Sequence, residues 1–403
     1  METTRTNKKA LTALAVGGFG IGLTEFVIMG ILPDVAKGIG ITIPEAGHFI
    51  AAYALGVVVG APLLTRFAKK IDARSMLLLL MGWFTLFNTL SGVTDSYGTL
   101  LITRFLSGLP HGAFFGIGAV VAGKLAKEGK AAQAIAVMFT GLTFANVIGV
   151  PIGTYIGHHY DWSISFYMVG IVGLLAVASV FFWMPTLPAE APKPYSKENK
   201  GLKNGELWAL IMLTTIGTGG FFAWYSYIAP LITDVAGWGE YMVGYAMILA
   251  GLGMVVGNFV GAKMAELISP LKAVAISLTS MVALLLLNSV LAFNPYAVLV
   301  MTFFMGLAAF TVSTPIQMAI INTSKGNEML GSSMNQSAFN MGNASGAYLA
   351  GLPMAFGFSV VYAGVVGAVL AGLGVLMALG IIVYRKRKTA IAYRNMALHD
   401  YLN

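Results

Sequence analysis

One acidic side chain restricts the folds open to this chain more than any other feature. Between Leu11 and Leu32 the only charged residue is Glu25, and the run is long enough to cross a bilayer core of about 30 Å as a helix rising about 1.5 Å per residue. Glu25 sits near the middle of that crossing. An ionised carboxylate facing lipid there costs at least ~2.5 kcal/mol, so Glu25 must face protein or a wet cavity, be paired, or take up a proton.

The rest of the chain repeats this character. Of its 403 residues 57% are apolar and 10% charged, and the mean hydropathy is +0.80; these values describe a polytopic all-α membrane protein. The basic N-terminal stretch runs into a full apolar span without a small-residue cleavage site, so the first helix is expected to stay in place rather than be removed as a signal peptide. With no cysteine in the sequence, disulfides and thiolate metal sites are excluded, and no metal or cofactor is expected. Apolar runs fall at about 11 to 33, 46 to 67, 75 to 94, 99 to 123, 133 to 157, 164 to 185, 207 to 232, 241 to 265, 272 to 293, 295 to 321, 329 to 353 and 358 to 384. Twelve spans put both termini on one side. Of the 24 Lys and Arg, Arg104 falls inside a span, Lys37 lies in an odd-numbered loop, and all the others lie on the terminal side. The positive-inside rule makes that side cytoplasmic, so the net charge of +8 reflects topology in an inner membrane and gives nucleic acid no role.

Residues 186 to 206, TLPAEAPKPYSKENKGLKNGE, are too polar and too broken by proline to pack. They read as a cytoplasmic linker between an N-terminal bundle, 1 to 185, and a C-terminal bundle with a basic tail, 207 to 403. The two halves resemble each other. LPDVAKGIG after span 1 and ITDVAGWG after span 7 place Asp34 and Asp234 at matching external ends, and ALGVVVGAP (54 to 62) matches GLGMVVGNF (251 to 259), each followed by a basic residue, Arg66 and Lys263. Two related six-span bundles enclosing a midplane cavity form a known transporter architecture that works by rocking.

Small residues recur at four-residue spacing in span 2 (Ala52, Gly56, Gly60), span 8 (Gly253, Gly257, Gly261) and span 5 (Gly141, Ala145, Gly149, Gly153, Gly157). Such stripes let helices approach closely. Pro151 lies within the last of them, where its missing donor is expected to bend the helix into a possible pivot.

Polar residues inside the spans mark a candidate site. Arg104 of span 4 needs an acceptor, and Glu25 is the obvious one. If spans 1 and 4 are neighbours, Arg104 and the loss of water act on Glu25 in opposite senses, and conformations that weight them differently would couple transport to protons. His111 lies seven residues beyond Arg104 on nearly the same face. The second half has no mid-span carboxylate. It offers Trp224, Tyr225 and Tyr227 in span 7, Gln317 in span 10, and Asn335, Gln336, Asn340 and Asn343 in span 11. Amides that share a helix face in hydrocarbon must bond across helices or line a cavity. The expected substrate cavity therefore includes His111, Asn146, Trp224, Tyr227, Gln317, Gln336 and Asn340, a mixed aromatic and amide lining that suits a small, partly apolar or neutral polar molecule. No Ser-His-Asp grouping, paired carboxylate or His pair at ligand spacing appears in the spans, which argues against an enzyme.

The strings GFGIGLTEFVIMGILPDVA, ALGVVVGAPLLTRF, RFLSGLPHGAFFGIGAVVAGKL and GVPIG resemble the major facilitator superfamily, and within it the drug:proton antiporter branch that includes arabinose-efflux and purine-efflux permeases. The resemblance covers essentially the whole chain and implies the twelve-helix fold of two pseudo-symmetric bundles. It places the span 4 arginine and glycine linked to proton transfer on Arg104 and Gly108, the antiporter motif on Gly141, Gly149, Pro151 and Gly153, and the acidic residue of related multidrug exporters on Glu25. One motif departs from the family: the loop after span 2 reads TRFAKKIDARS, with Lys69 where an aspartate is expected and Asp72 where a glycine is. The charge latch of that motif is thus altered, and Asp72 is the residue that could substitute.

The reading is proton-coupled efflux of a small molecule by alternating access in an inner membrane. Glu25 is the proton carrier, Arg104 its tuner and Asp34 a lesser external-end candidate, in a monomer whose partners are substrate, protons and lipid. The alternatives are proton-linked uptake or facilitated diffusion of a sugar or nucleoside, and a receptor or scaffold without turnover.

Overall fold

In a bilayer the backbone must satisfy its own hydrogen bonds, and the chain does so as helices throughout. The computed structural model describes residues 7–41, 43–68, 71–187, 204–239 and 241–402. The spanning helices are α1 Lys8–Gly30, α2 Ile43–Ala68, α3 Ala73–Val93, α4 Tyr97–Leu125, α5 Ala131–His159, α6 Trp162–Trp183, α7 Gly205–Tyr225, α8 Tyr241–Ile268, α9 Pro270–Leu291, α10 Pro295–Thr323, α11 Glu328–Ala355 and α12 Tyr362–Leu402. A short helix, Leu32–Ile39, follows α1. Most of the linker expected at 186 to 206, and Lys69 of the altered loop, lie outside the described residues.

Local sequence explains where several helices start. Asn7, Asp72, Ser96, Asp161, Asn204 and Asn294 each accept a bond from a first-turn backbone N–H of the helix that follows, which meets donors that a helix start leaves unpaired. Eleven of the helices are long and apolar enough to cross a membrane. The twelfth, α11, has the length but not the apolarity. Its amides and serines are mostly buried against other helices, so it does not have to dissolve in lipid.

The two halves use the same packing. In the first, α1 lies against α5 and α6, α2 against α4, and α3 against α4 and α6; in the second, α7 lies against α11 and α12, α8 against α10, and α9 against α10 and α12. The matched glycines show why. A Cβ on Gly56 would lie 2.2 Å from the Phe105 carbonyl oxygen, and one on Gly253 would lie 2.0 Å from that of Phe303. Lipid tails are as apolar as side chains, so helix association here rests on close packing rather than on escape from water.

The halves meet where α11 crosses α2 and α4 and where α5 runs beside α8. Ser333 of α11 accepts from the Thr65 hydroxyl of α2 at 2.6 Å, and Asn258 of α8 donates to the Ala136 carbonyl of α5 at 3.2 Å. These contacts lie toward the face that carries both termini.

The glycine ladder of α5 runs along α1. A Cβ at Gly141 would lie 1.8 Å from the Ala15 carbonyl oxygen, and those at Gly149, Gly153 and Gly157 would meet Phe19, Val27 and Ile31 in turn. The bend expected at Pro151 takes a definite form. Ala145–Gly149 is a widened turn, closed by the Val150 N–H bonding to the Ala145 carbonyl, so the helix accommodates the proline by lengthening one turn just before it.

Candidate functional site

The site begins with Glu25, in the part of α1 farther from the terminal face. The carboxylate lines a cavity between the two bundles that holds about 610 Å³ of unfilled space, its open part included. From the first half come Glu25 and Phe26 of α1, His111 of α4, and Phe139 and Leu142 of α5. The second half contributes Thr218, Phe221 and Phe222 of α7, Met281 of α9, Ala309, Phe310 and Ser313 of α10, and Gln336, Phe339 and Asn340 of α11. Six phenyl rings thus surround one carboxylate, one imidazole, two amides and two hydroxyls.

Arg104 lies behind this wall, fully buried. The expected ion pair with Glu25 does not form among the described residues. Arg104 instead donates from Nη1 to the Thr24 hydroxyl at 2.9 Å and from Nη2 to the Thr24 carbonyl at 3.2 Å, and Thr24 in turn bonds to Asn88 of α3. Its guanidinium carbon sits 4.5 Å from the Tyr53 ring centroid and 5.6 Å from that of Phe166. The physical reason is reach: about two turns into α4, which begins at Tyr97, the side chain meets the α1 backbone at Thr24 and is held there by two aromatic faces. Tyr53 also links the arginine to the cavity, because its hydroxyl lies 3.0 Å from His111 Nδ1.

Three of the residues expected in the cavity, His111, Gln336 and Asn340, line it. The other four lie outside its wall. Asn146 sits in the widened turn of α5 and donates to the Leu142 carbonyl at 3.3 Å. Trp224 is buried beside Phe221 and Tyr225, and the Tyr227 hydroxyl donates to the Ala347 carbonyl at 3.1 Å. Gln317 forms a buried amide cluster, accepting from Asn335 Nδ2 at 2.5 Å and from Gln336 Nε2 at 3.5 Å and donating to Ser332. Asp34 lies apart from Glu25, in the short helix after α1, with its Oδ2 2.6 Å from His158 Nδ1 at the end of α5. Asp72 caps α3 through the Ser75 amide at 3.0 Å, and hydrogen bonds from the Ser75 side chain and then its backbone hold its carboxyl below the usual range. Among the described residues its partners belong to the first turn of α3 in the same half, which is not the geometry of a latch between the halves.

The phenyl rings and the Thr24, Tyr53 and His158 contacts were not singled out from the sequence. A phenylalanine in an apolar span carries no signal of whether it faces lipid or cavity, and a helical threonine is unremarkable until an arginine reaches it. The one available hint was the FF pair, Phe221 and Phe222, immediately before the aromatic run that was read as the lining.

Comparison with known proteins agrees with this geometry. The family model of the Major Facilitator Superfamily matches residues 14–351. The inner membrane transport protein YdhP of Escherichia coli (strain K12) is 39% identical over 371 residues, 91% of this chain and 94% of that protein. The chloramphenicol resistance protein of Streptomyces lividans is 28% identical over 390 residues, 96% of each. Among solved structures, that of the human organic anion transporter MFSD10 aligns with a TM-score of 0.76 at 14% identity, covering 92% of this chain and 99% of that one; at that identity the likeness is one of fold alone. A match over nearly the whole length, on a chain that already has the twelve-helix frame and a cavity between its bundles, identifies this protein as a membrane transporter of the Major Facilitator Superfamily.

Proposed function

We propose that the chain exports a small molecule across a bacterial inner membrane in exchange for protons, with Glu25 as the proton carrier. The observation that carries this reading is the place of Glu25. Among the described residues it is the only carboxylate on the wall of a cavity built from both halves, and it makes no ion pair there. A proton taken up there neutralises the cavity, and its release restores the charge, so substrate and proton can act on one site as the halves rock. Arg104 contributes a fixed positive charge behind the wall. Asp34, paired with His158 outside the cavity, has the lesser role.

Export is favoured over uptake by the relative named as a chloramphenicol resistance protein. The inner membrane setting follows the name of YdhP, and the distribution of Lys and Arg puts the termini in the cytoplasm. One chain encloses the cavity, so the site is complete in a monomer. Rings and amides together suit a small, partly aromatic molecule with hydrogen-bonding groups.

The test is substrate-induced proton release in proteoliposomes, with candidate substrates chosen from a growth-inhibition panel on an overexpressing strain. Glu25→Gln is expected to abolish release while leaving the fold intact. Release unchanged in that variant would remove Glu25 from the mechanism, and accumulation driven by an inward proton gradient would replace export with uptake.

A further inference from the structure

On the face that carries the termini the two halves are joined on one side by a charged contact that the sequence motifs do not assign. Glu266, near the end of α8 in the second half, reaches the start of α5 in the first half. Its Oε2 accepts from Gln133 Nε2 at 2.9 Å and lies 3.5 Å from Lys130 Nζ, and its Oε1 accepts from the Gln133 backbone N–H at 3.4 Å. That backbone donor belongs to the first turn of α5, where N–H groups have no partner within the helix and the helix dipole favours an anion. Glu266 is mostly buried, its side chain 14% exposed, so water screens this contact less than it would a surface pair.

The internal repeat makes the position informative. Gly60 of α2 matches Gly257 of α8; nine residues beyond the first stands Lys69, and nine beyond the second stands Glu266. The half with a lysine at that register also supplies Asp72, which caps its own α3. The other side of the same face closes on small groups, where Gly116 of α4 leaves no room for a Cβ against Ser333 of α11.

We propose that Glu266 is the latch of this transporter: its grip on the start of α5 holds the terminal face closed, and releasing it lets the halves part there. The latch thus sits in the second half, at the repeat of the position where the first half carries Lys69. Opening the terminal face there must break three hydrogen-bonding contacts to one carboxylate as a unit, and charge-assisted bonds of this kind are stronger than the neutral Thr65–Ser333 and Asn258–Ala136 bonds that also join the halves. This inference depends neither on the direction of transport nor on proton coupling.

The chain has no cysteine, which permits a direct test. Spin labels on Glu128→Cys and Lys325→Cys, exposed loop positions of the two halves on the terminal face, would report its opening by pulsed electron double resonance in lipid nanodiscs. Glu266→Ala is expected to raise the ratio of long to short distances at least about fivefold, as suits the loss of hydrogen bonds to a charged group. Glu266→Gln keeps the shape and loses the charge, so it should shift the ratio in the same direction and serves if the alanine variant does not fold. Asp72→Ala should leave the ratio unchanged. An unchanged distribution in the Glu266 variants, or an equal shift in Asp72→Ala, would overturn the proposal.

Discussion

Arg104 and Thr24 form the tightest polar junction between α4 and α1, with Nη1 2.9 Å from the threonine hydroxyl and Nη2 3.2 Å from its carbonyl. The guanidinium is thereby held by the residue next to Glu25 rather than by Glu25 itself. Removing an acceptor from a buried charged donor costs about 1.5–3 kcal/mol. Thr24→Val should therefore lower the thermal midpoint of the purified protein by several degrees and leave Arg104 Nη1 unpaired, which a fluorescence melting curve would record. Thr24→Ser, which keeps the hydroxyl, should melt close to the parent.

Tyr53 has two separable roles, a ring beneath Arg104 and a hydroxyl on His111. Tyr53→Phe removes the second and keeps the first, so its stability should fall by only about 1 kcal/mol. Tyr53→Ala loses both, including a cation–π contact worth about 2 kcal/mol where water is excluded, and leaves a void. Chemical-denaturant or thermal unfolding of the two variants should rank them in that order; equal losses would mean that the ring does not support the arginine.

The seam between α1 and α5 tolerates no side chain at Gly141, where a Cβ would fall on the Ala15 backbone. Gly141→Val should give little monodisperse protein on fluorescence-detected size exclusion. At Gly149 the nearest atom is the tip of the Phe19 ring, 2.9 Å away, which a rotamer change can move. Gly149→Ala is expected to fold and to transport at a reduced rate, since it sits in the widened turn before Pro151.

Residues that line the cavity should alter substrate choice, and residues outside its wall should not. Phe310→Ala or Phe339→Ala should change the inhibitory concentration of some compounds at least about fourfold in a growth panel while sparing others, because a lost ring contact is worth roughly 1–3 kcal/mol and depends on the ligand's shape. Tyr227→Phe, whose hydroxyl bonds to the Ala347 carbonyl, should leave the spectrum of compounds unchanged. A shift in Tyr227→Phe as large as in the phenylalanine variants would mean that the cavity extends beyond the wall described above.

Hydropathy and repeats made much of the fold legible. The apolar runs correspond to the twelve helices, and the four-residue glycine spacings became the seams between α1 and α5, α2 and α4, and α8 and α10. These features can be read along one helix, since a crossing needs about 20 apolar residues and a close approach needs a stripe of small ones. Even α11, too polar to stand in lipid, was legible as a lining or bonding helix from Gln336 and Asn340 on one face.

The partners of each polar group were another matter. From the sequence alone Glu25 had to be accommodated and Arg104 had to find an acceptor, but Thr24 received the guanidinium and Glu25 came to face the cavity. Gln317 and Gln336 were equally plausible as lining residues, yet both join one amide cluster and only Gln336 also reaches the wall. A rotation of a few tens of degrees about a helix axis exchanges lipid, neighbour and cavity for a given side chain, and that rotation is set jointly by all the helices packed around it. The sequence by itself therefore determined the number of helices, their seams and the presence of a charge that lipid cannot hold. Only the tertiary structure decided which groups share the cavity and that Glu266 joins the two halves, because both depend on contacts between helices far apart in the chain.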